Sequence, residues 1–482
     1  MSISAAFNSA ISGLTAASRA AEIVSENIAN AQTVGYARRS LNVGSNTVAP
    51  GVRILGVQRH ADPGIIANRR QSESDYGAAE TVAGFQTRYA GLVGNATDPG
   101  SISMRIADFE TSLIEAASQP QSPQRLNTVT SRAKDLARGI SAASEGLRTM
   151  RSQADNAIAS QIDQLNQSLQ SLKDINTKIA STSSSGGETA GLLDQRQKLI
   201  DGINQIVPVN VVERDHGKVA LYTDGGAILL DGSAATLGFT PVRDTMPEMT
   251  IENGALSGLE INGIPVRTDS RNSTLKGGTL SAQFKIRDEL AVSAQTDLDA
   301  VARDLMERFE TPTLDPTTAA GDPGLFTDNG AIFDIANEVG LAGRLSLNSV
   351  VDPDQGGQSW RLRAGLGAGT PGEPGEARQL QAFTAILSER RTPGSTSFGT
   401  SQLTLVGIGS SLMSRAAQNA NESDRVLSFA AASMTELTRI DLAQGVDTDA
   451  ELQTLMLVEQ AYAANARMIK VADEMMQTLL RI

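Results

Sequence analysis

Cysteine is absent from the 482 residues, which excludes disulfides, thiolate nucleophiles and cysteine-ligated zinc. The compartment stays open, because a secreted chain can do without disulfides. Aromatics make up only 4%, so any core must rest on Leu, Ile, Val and Ala. That composition suits Ala-containing helical packing better than a bulky enzyme core. The net charge of −13 lacks the basic surface that phosphate backbones require, so no nucleic-acid partner is expected. No apolar run reaches the ~18 residues of a membrane-spanning helix, and no membrane insertion is expected. A cleavable signal peptide needs a basic start and an apolar run. Here Met1 to Ser18 carry no charged side chain, and Asn8 and Gly13 interrupt the apolar residues, so none is read.

Residues for catalysis are equally sparse. The two histidines, His60 and His216, sit in no ligand pair and read as ordinary surface or loop residues. Asp447-Thr-Asp449-Ala-Glu451 lacks the length and central glycine of a calcium loop and reads as a helix cap, and Asp352-Pro-Asp354-Gln-Gly-Gly has the acids of a weak calcium site but reads as an ordinary acidic turn. No phosphate-binding or dinucleotide-binding glycine pattern occurs in a strand-to-helix context. The basic pairs Arg38-Arg39 and Arg69-Arg70 are expected to face solvent or neighbouring subunits rather than phosphate. No catalytic residue, metal ligand or cofactor site is assigned, and the chain is expected not to be an enzyme.

What is present is periodicity. Ile3, Phe7, Ala10, Leu14, Ala17, Ala21, Val24 and Ile28 follow spacings of 4 and 3 in alternation, a heptad seam on one helix face. The seam stops in a turn-forming stretch, Asn30 to Tyr36. Near the other end, Leu455, Val458, Tyr462, Asn465, Ile469, Ala472, Met476 and Leu479 repeat the pattern, with Asn465 the one polar member and a candidate for setting register. Thr448 and Glu451 have the spacing of a capping box at that helix start. Two apolar stripes so far apart in sequence suggest that they pack together, or against other subunits.

The middle of the chain reads as a mainly α fold with a β insertion. A long helix is predicted from Pro123 to about Ser181, with a heptad from Leu126 to Ala154 that shifts phase before Ile158. Further helices are predicted at about 192–206, 282–310 and 403–442. Val209 to Val212 and Val219 to Tyr222 are β-prone, and Asp224-Gly225, Asn253-Gly254 and Asn262-Gly263 are hairpin-turn signals. The resulting divisions are an N-terminal assembly helix (1–36), a helical core (37–206), an antiparallel β domain (207–280), a return helix (281–310), a loosely structured Pro/Gly-rich insertion (311–400) with possible strands at 343–347 and 359–363, the last part of the core (401–444) and a C-terminal assembly helix (445–482).

The segment Ala29 to Arg38, with Asn30, Thr33, Gly35 and Tyr36 at the fixed positions, resembles the turn signature of the flagellar rod, hook and hook-associated proteins. Gln32 and Val34 stand where the family often has Asn and Pro. Leu192 to Val207, Gly277-Gly278-Thr-Leu, Gly445 to Leu452 and Glu459 to Asn465 are similar to hook-associated members at the hook–filament junction. The resemblance spans roughly the first 210 residues and the last 80. It implies a structural, extracellular subunit exported unfolded by the flagellar type III apparatus. It further implies a ring-like helical self-assembly through the two end helices, contacts to hook protein and to the second junction protein, and a cytosolic export chaperone. Ends that fold only on assembly would keep the exported monomer from polymerising early. A hook or distal rod subunit is the structural alternative, and an enzyme carried in the variable insertion is the other.

Overall fold

A computed structural model describes residues 3–33, 35–45, 51–269 and 273–480, with the side chains of Leu479 and Leu480 outside the description. The chain opens with helix α1 (Ile3–Ala29), then the antiparallel hairpin β1 (Arg39–Ser45) and β2 (Val52–Arg59). Three helices follow: α2 (Pro63–Val93), α3 (Ile102–Ser118) and α4 (Pro123–Ser184). Both α2 and α4 carry proline in their first turn, where no backbone N–H is needed. The Asp62 carboxylate and the Ser122 hydroxyl accept from the exposed backbone amides that follow them.

Helix α4 is 62 residues long and runs unbroken through the predicted phase shift. The shift marks a change of neighbours. From Leu126 to Ala154, α4 faces a core shared with Phe85 and Tyr89 of α2 and with α3. From Ile158 onward it faces helix α5 (Ala190–Ile206) and two small antiparallel sheets. The first sheet joins β3 (Val209–Glu213), β4 (Val219–Thr223), β5 (Ile228–Asp231) and β6 (Ser233–Ala234). The second joins β7 (Leu237–Gly238), β8 (Leu259–Ile261) and β9 (Ile264–Val266). Asn262 and Gly263 turn β8 into β9 with φ of 53° and 75°, the left-handed pair that a two-residue hairpin turn needs. Asp224-Gly225 lies in the β4–β5 connection with its positive φ at Gly226, whereas Asn253-Gly254 forms a turn that joins no paired strands.

The chain returns along α6 (Gly278–Lys285), one wide π-turn over Ile286–Leu290, and α7 (Ala291–Phe309). At the boundary between the two cores, Arg287 of that turn pairs with Asp155 of α4 at 2.8 Å, both fully buried.

The segment read as a loose insertion is built into the first core. It contains β10 (Phe326–Asp328), α8 (Leu341–Arg344), β11 (Leu345–Leu347), α9 (Arg361–Ala364) and α10 (Arg378–Ser388). Phe326 and Phe383 join Phe109 and Phe309 in one aromatic cluster with centroids 5.3–6.1 Å apart. Of the two strands expected there, 343–347 holds β11, whereas 359–363 is a helical turn. Leu362 and Arg363 bury there together, and the Arg363 guanidinium donates to the Pro120 and Pro371 carbonyls. Finally α11 (Leu405–Ala443) lies along α2, and α12 (Thr448–Leu480) lies along α1.

Candidate assembly surface

Helices α1 and α12 form an antiparallel pair. Asn27 meets Glu451, Gly13 lies under Asn465, and Ile3 shares a cleft with Val471 and Met475. The seam read from the sequence is mostly the contact face. Val24 is buried, and Ile3, Phe7, Leu14, Ile28, Leu455, Val458, Asn465 and Ile469 are half-buried. Tyr462 and Met476 remain exposed at 45% each, and the Leu479 side chain lies outside the described residues. Asn465 donates to the Ala461 carbonyl of its own helix, and its amide lies flat over Gly13. A Cβ at position 13 would stand 2.8 Å from Asn465 Nδ2.

The pair is fastened at its base by Asn27, which is fully buried. Its Nδ2 donates to the Arg39 carbonyl (2.8 Å) and to Glu451 Oε2 (3.0 Å). Its Oδ1 accepts from the Arg39 amide (3.0 Å) and from the Tyr36 hydroxyl (2.8 Å). All four hydrogen bonds of the side chain are therefore made. Burial, opposed by the Arg39 guanidinium, pushes the Tyr36 phenol up to about 12, so it stays protonated and able to donate. Arg38 closes the set with Nε 2.6 Å from Glu451 Oε1. The family turn supports this arrangement: Asn30 accepts from the Thr33 amide and hydroxyl, and Gly35 has φ of 80°. Val34 lies outside the described residues.

Two sequence readings are corrected here. Thr448 and Glu451 do not form a capping box. Asp447 caps α12, its Oδ1 accepting from the Asp449 and Ala450 amides, and the Glu451 carboxylate crosses to α1 instead. Of the basic pairs, Arg39, Arg69 and Arg70 turn inward on acids of their own chain rather than to solvent, whereas Arg38 stays partly exposed while it pairs with Glu451. Arg39 joins Arg59 on Asp194, and Arg69 and Arg70 both reach Asp201. Arg69 also pairs with Asp441 near the end of α11, tying the chain entering α12 to α2. Asn27 was missed because it is polar and sits one residue off the seam; a polar residue beside an apolar stripe, just before a turn motif, is the signal that would have pointed to it.

The acidic strings hold no ion-binding geometry. Lys134 lies 2.7 Å from both Asp352 and Asp354, and no cluster of three or more His, Asp or Glu suited to a metal occurs among the described residues. His60 meets Ser40 at 2.7 Å on the exposed hairpin, and exposed His216 occupies a turn with φ of 59°. None of the described helices is long and apolar enough to cross a membrane.

Apolar side chains are left without cover on this end of the molecule. Helix α12 exposes Leu452, Met456, Leu457, Met468, Val471 and Met475, and the hairpin exposes Val43, Val52, Ile54 and Leu55. Single exposed apolar residues need no explanation, but runs of them along one helix mark an interaction surface.

Comparison with known proteins agrees with this anatomy. The family model described as flagellar hook-associated protein FlgK helical domain matches residues 92–326. Two further models, flagella basal body rod protein and flagellar basal body rod FlgEFG protein C-terminal, match residues 7–36 and 443–482. Flagellar hook-associated protein 1 of Escherichia coli K12 is 26% identical over 337 residues, covering 67% of this chain and 59% of that protein. The chain thus spans somewhat over half the length of that curated relative. Flagellar hook-associated protein 1 of Bacillus subtilis 168 is 23% identical, with 97% of this chain and 96% of that one aligned. The solved flagellar hook junction protein FlgK from Burkholderia pseudomallei overlaps at a TM-score of 0.46 and 20% identity, over 54% of this chain and 46% of that chain.

Proposed function

We propose, from the premise that this chain is a relative of flagellar hook-associated protein 1 within the flagellar rod and hook axial proteins, that it is a structural subunit of the hook–filament junction. The observation that carries the reading is the end-to-end pairing of α1 with α12, fastened through the Asn27–Glu451 contact, on a body whose residues 92–326 match a hook-associated domain. Rod and hook proteins share the terminal matches, so those alone would leave a hook or distal rod subunit open; the match over the helical domain favours the junction.

On this reading the subunit assembles with copies of itself and with other flagellar axial proteins. Hook protein lies on one side and the second junction protein on the other. The subunit leaves the cytoplasm through the type III apparatus and works outside the cell, and an export chaperone holds its C-terminal segment beforehand. The α1–α12 pair supplies the inward assembly element, and the body with its small β sheets faces outward. Apolar surface left bare on α12 gives the pair a reason to bind further copies, at roughly 25 cal/mol per Å² buried before ordering costs are subtracted.

Deleting residues 445–482 tests the reading in the cell. Hooks should form while filaments fail to attach. Loss of the hooks themselves would indicate a hook or rod subunit, and normal filaments would reject a structural role at the junction.

A further inference from the structure

Helix α5 has two unlike faces. Ile200, Ile203 and Ile206 enter the second core. Asp194, Gln197, Lys198 and Asp201 fall at i, i+3, i+4 and i+7, which places them together on the opposite face. At one end of this polar face Asp201 holds Arg69 and Arg70 of α2, so that end is fixed to the body. The other end receives the hairpin. Asp194 takes Arg39 of β1 on one oxygen at 2.6 Å and Arg59 of β2 on the other at 2.8 Å, with 11–16% of each side chain exposed. Arg59 also donates to Gln197. Gly35 of the family turn lies against Lys198, where a Cβ would stand 3.1 Å from Lys198 Cγ. Arg19 of α1 reaches Glu188, just ahead of the helix. Among the described residues, every ion pair that crosses from α1, the hairpin or α12 to the body ends on α5 or just before it. Apolar packing does not fix this joint. Neither buried apolar core takes a residue from α1, the hairpin or α12. Where the end-helix unit meets α2 and α11 there is instead a cleft of about 640 Å³, lined by Tyr36, His60, Glu73, Leu442 and Val446 among others. The backbone crosses between the two parts at 60–62 and at 444–447.

We propose that the polar face of α5 is a latch that sets the angle of the end-helix unit against the body, and that opening it lets α1, the hairpin and α12 turn as one piece about the two backbone crossings. The unit holds itself together without α5, because Asn27 binds the Arg39 backbone and Glu451, both inside the unit. An apolar joint would expose its core on opening. Here opening returns arginines and a carboxylate to water, where each is well solvated, so the balance between closed and open rests on a few charge pairs. Contacts that favour one angle can then select it. Asp194 is the centre of the latch, since one carboxylate serves both strands of the hairpin. The stretch Leu192–Val207 thereby acquires two roles: one face builds the second core, and the other positions the end helices. The latch lies within a single chain and does not depend on the position that chain takes in an assembly.

The absence of cysteine lets two introduced labels report the angle alone. Spin labels are placed at Ser171→Cys on α4 and Ala463→Cys on α12, both exposed and outside the latch, in the full chain. Pulsed electron resonance then gives the distribution of distances between them. The expected result is one narrow distribution in the otherwise unaltered chain. Asp194→Asn should broaden it at least twofold, because two guanidiniums are left facing a neutral amide. Arg59→Gln, which leaves Arg39 on Asp194, should fall between the two. Amide exchange in α4 and in the α1–α12 pair should stay unchanged in both variants, which a general loss of structure would not allow. Equally narrow distributions in all three chains would overturn the proposal, and so would a parent as broad as Asp194→Asn. Broadening accompanied by faster exchange in α1 and α12 would also overturn it, since the pair itself would then have opened. Should Asp194→Asn disturb α4, Arg59→Gln decides: broadening with α4 intact supports the latch, and a distribution equal to the parent rejects it.

Discussion

Glu451 Oε2 lies 3.0 Å from Asn27 Nδ2, and this single contact joins positions 424 residues apart in sequence. The Glu451 carboxylate is 1% exposed, and its other oxygen takes a charged hydrogen bond from Arg38. Glu451 therefore does not act locally at the start of α12 but clamps the two end helices where they meet the body. Hydrogen bonds to charged groups contribute more than neutral ones, and a buried partner left unpaired carries its full desolvation cost.

Asn27→Ala should consequently loosen the helix pair by about 2 kcal/mol, seen as faster amide exchange in α1 and α12 with the α4 core unchanged. Asn27→Asp should be worse near neutral pH, because two carboxylates would then share one buried site and one of them must take up a proton. Acidifying through the carboxylate range should bring Asn27→Asp back toward Asn27→Ala. Equal exchange in all three chains would show that the clamp is not the fastening.

Gly13 and Asn465 carry the next expectation. Alanine ordinarily stabilises a helix interior over glycine by about 1 kcal/mol. Here the added Cβ would press on the Asn465 amide at 2.8 Å, so Gly13→Ala should instead destabilise the pair. Removing the obstacle with Asn465→Ala should restore the ordinary gain, and the double variant should exceed either single one in thermal stability. Additive effects across this cycle would mean that the two residues do not touch.

Which features the sequence disclosed follows from how each is stabilised. The α1 and α12 seams, α4 with its phase shift, and the β8–β9 hairpin at Asn262-Gly263 were legible, because each rests on apolar periodicity or on one backbone requirement. Helix α2 was not. Its buried face includes Arg69, Arg70, Ser72 and Ser74, and it is held by ion pairs to Asp201 and Asp441 that no apolar stripe announces. The hairpin at 39–59 was hidden in the same way, by Arg39 and Arg59 reaching Asp194. The stretch after Thr311 looked loose because its turns are rich in Gly and Pro. Yet Leu325, Phe326, Leu341 and Val351 enter the core one at a time, from elements of three or four residues and the turns between them, too short to show a period. At the assembly surface the apolar contact residues were readable and the polar clamp was not: Asn27 interrupts no pattern, and Glu451 fits a capping box that the structure does not make.

The Arg287–Asp155 pair sits where the two cores meet and has no water to fall back on. Arg287 donates to Asp155, to Asp288 and to the Ser257 carbonyl, so it joins α4, the π-turn and the segment leading into β8 at one point. Breaking a buried ion pair by removing one partner costs about 3–5 kcal/mol, since the remaining charge is stranded. Asp155→Ala should lower global stability by about that much in denaturant unfolding. The loss should exceed that of Arg439→Ala, whose pairing with Glu436 on the α11 surface is exposed. Similar midpoints for the two variants would show that the pair does not tie the cores together.

Asp299 sets the sign of the pH dependence. Burial pushes its carboxyl up to about 6, against the Ala342 and Gly340 amides and the Gln295 side chain that donate to it. The folded chain therefore holds this proton more tightly than the unfolded chain, whose aspartates titrate near ~3.9. Between those values unfolding releases the proton, so Asp299 contributes stability at low pH that is lost as pH rises from about 4 to about 6. At ~1.4 kcal/mol per pH unit the swing amounts to at most about 3 kcal/mol. Burial raises Asp297, Asp304 and Glu310 in the same direction; Asp352, which burial would also raise, is held low by Lys134 and backbone contacts and opposes them. Asp299→Asn cannot ionise but keeps only one acceptor oxygen, so it retains the Ala342 and Gln295 bonds made to Oδ1 or the Gly340 bond made to Oδ2, and carries a loss that does not depend on pH. Relative to the parent chain it should therefore gain stability as pH rises across that window. Denaturant unfolding at pH 4.5 and 6.5 measures the difference, and an unchanged gap between parent and variant at the two pH values would rule out Asp299 as the group responsible.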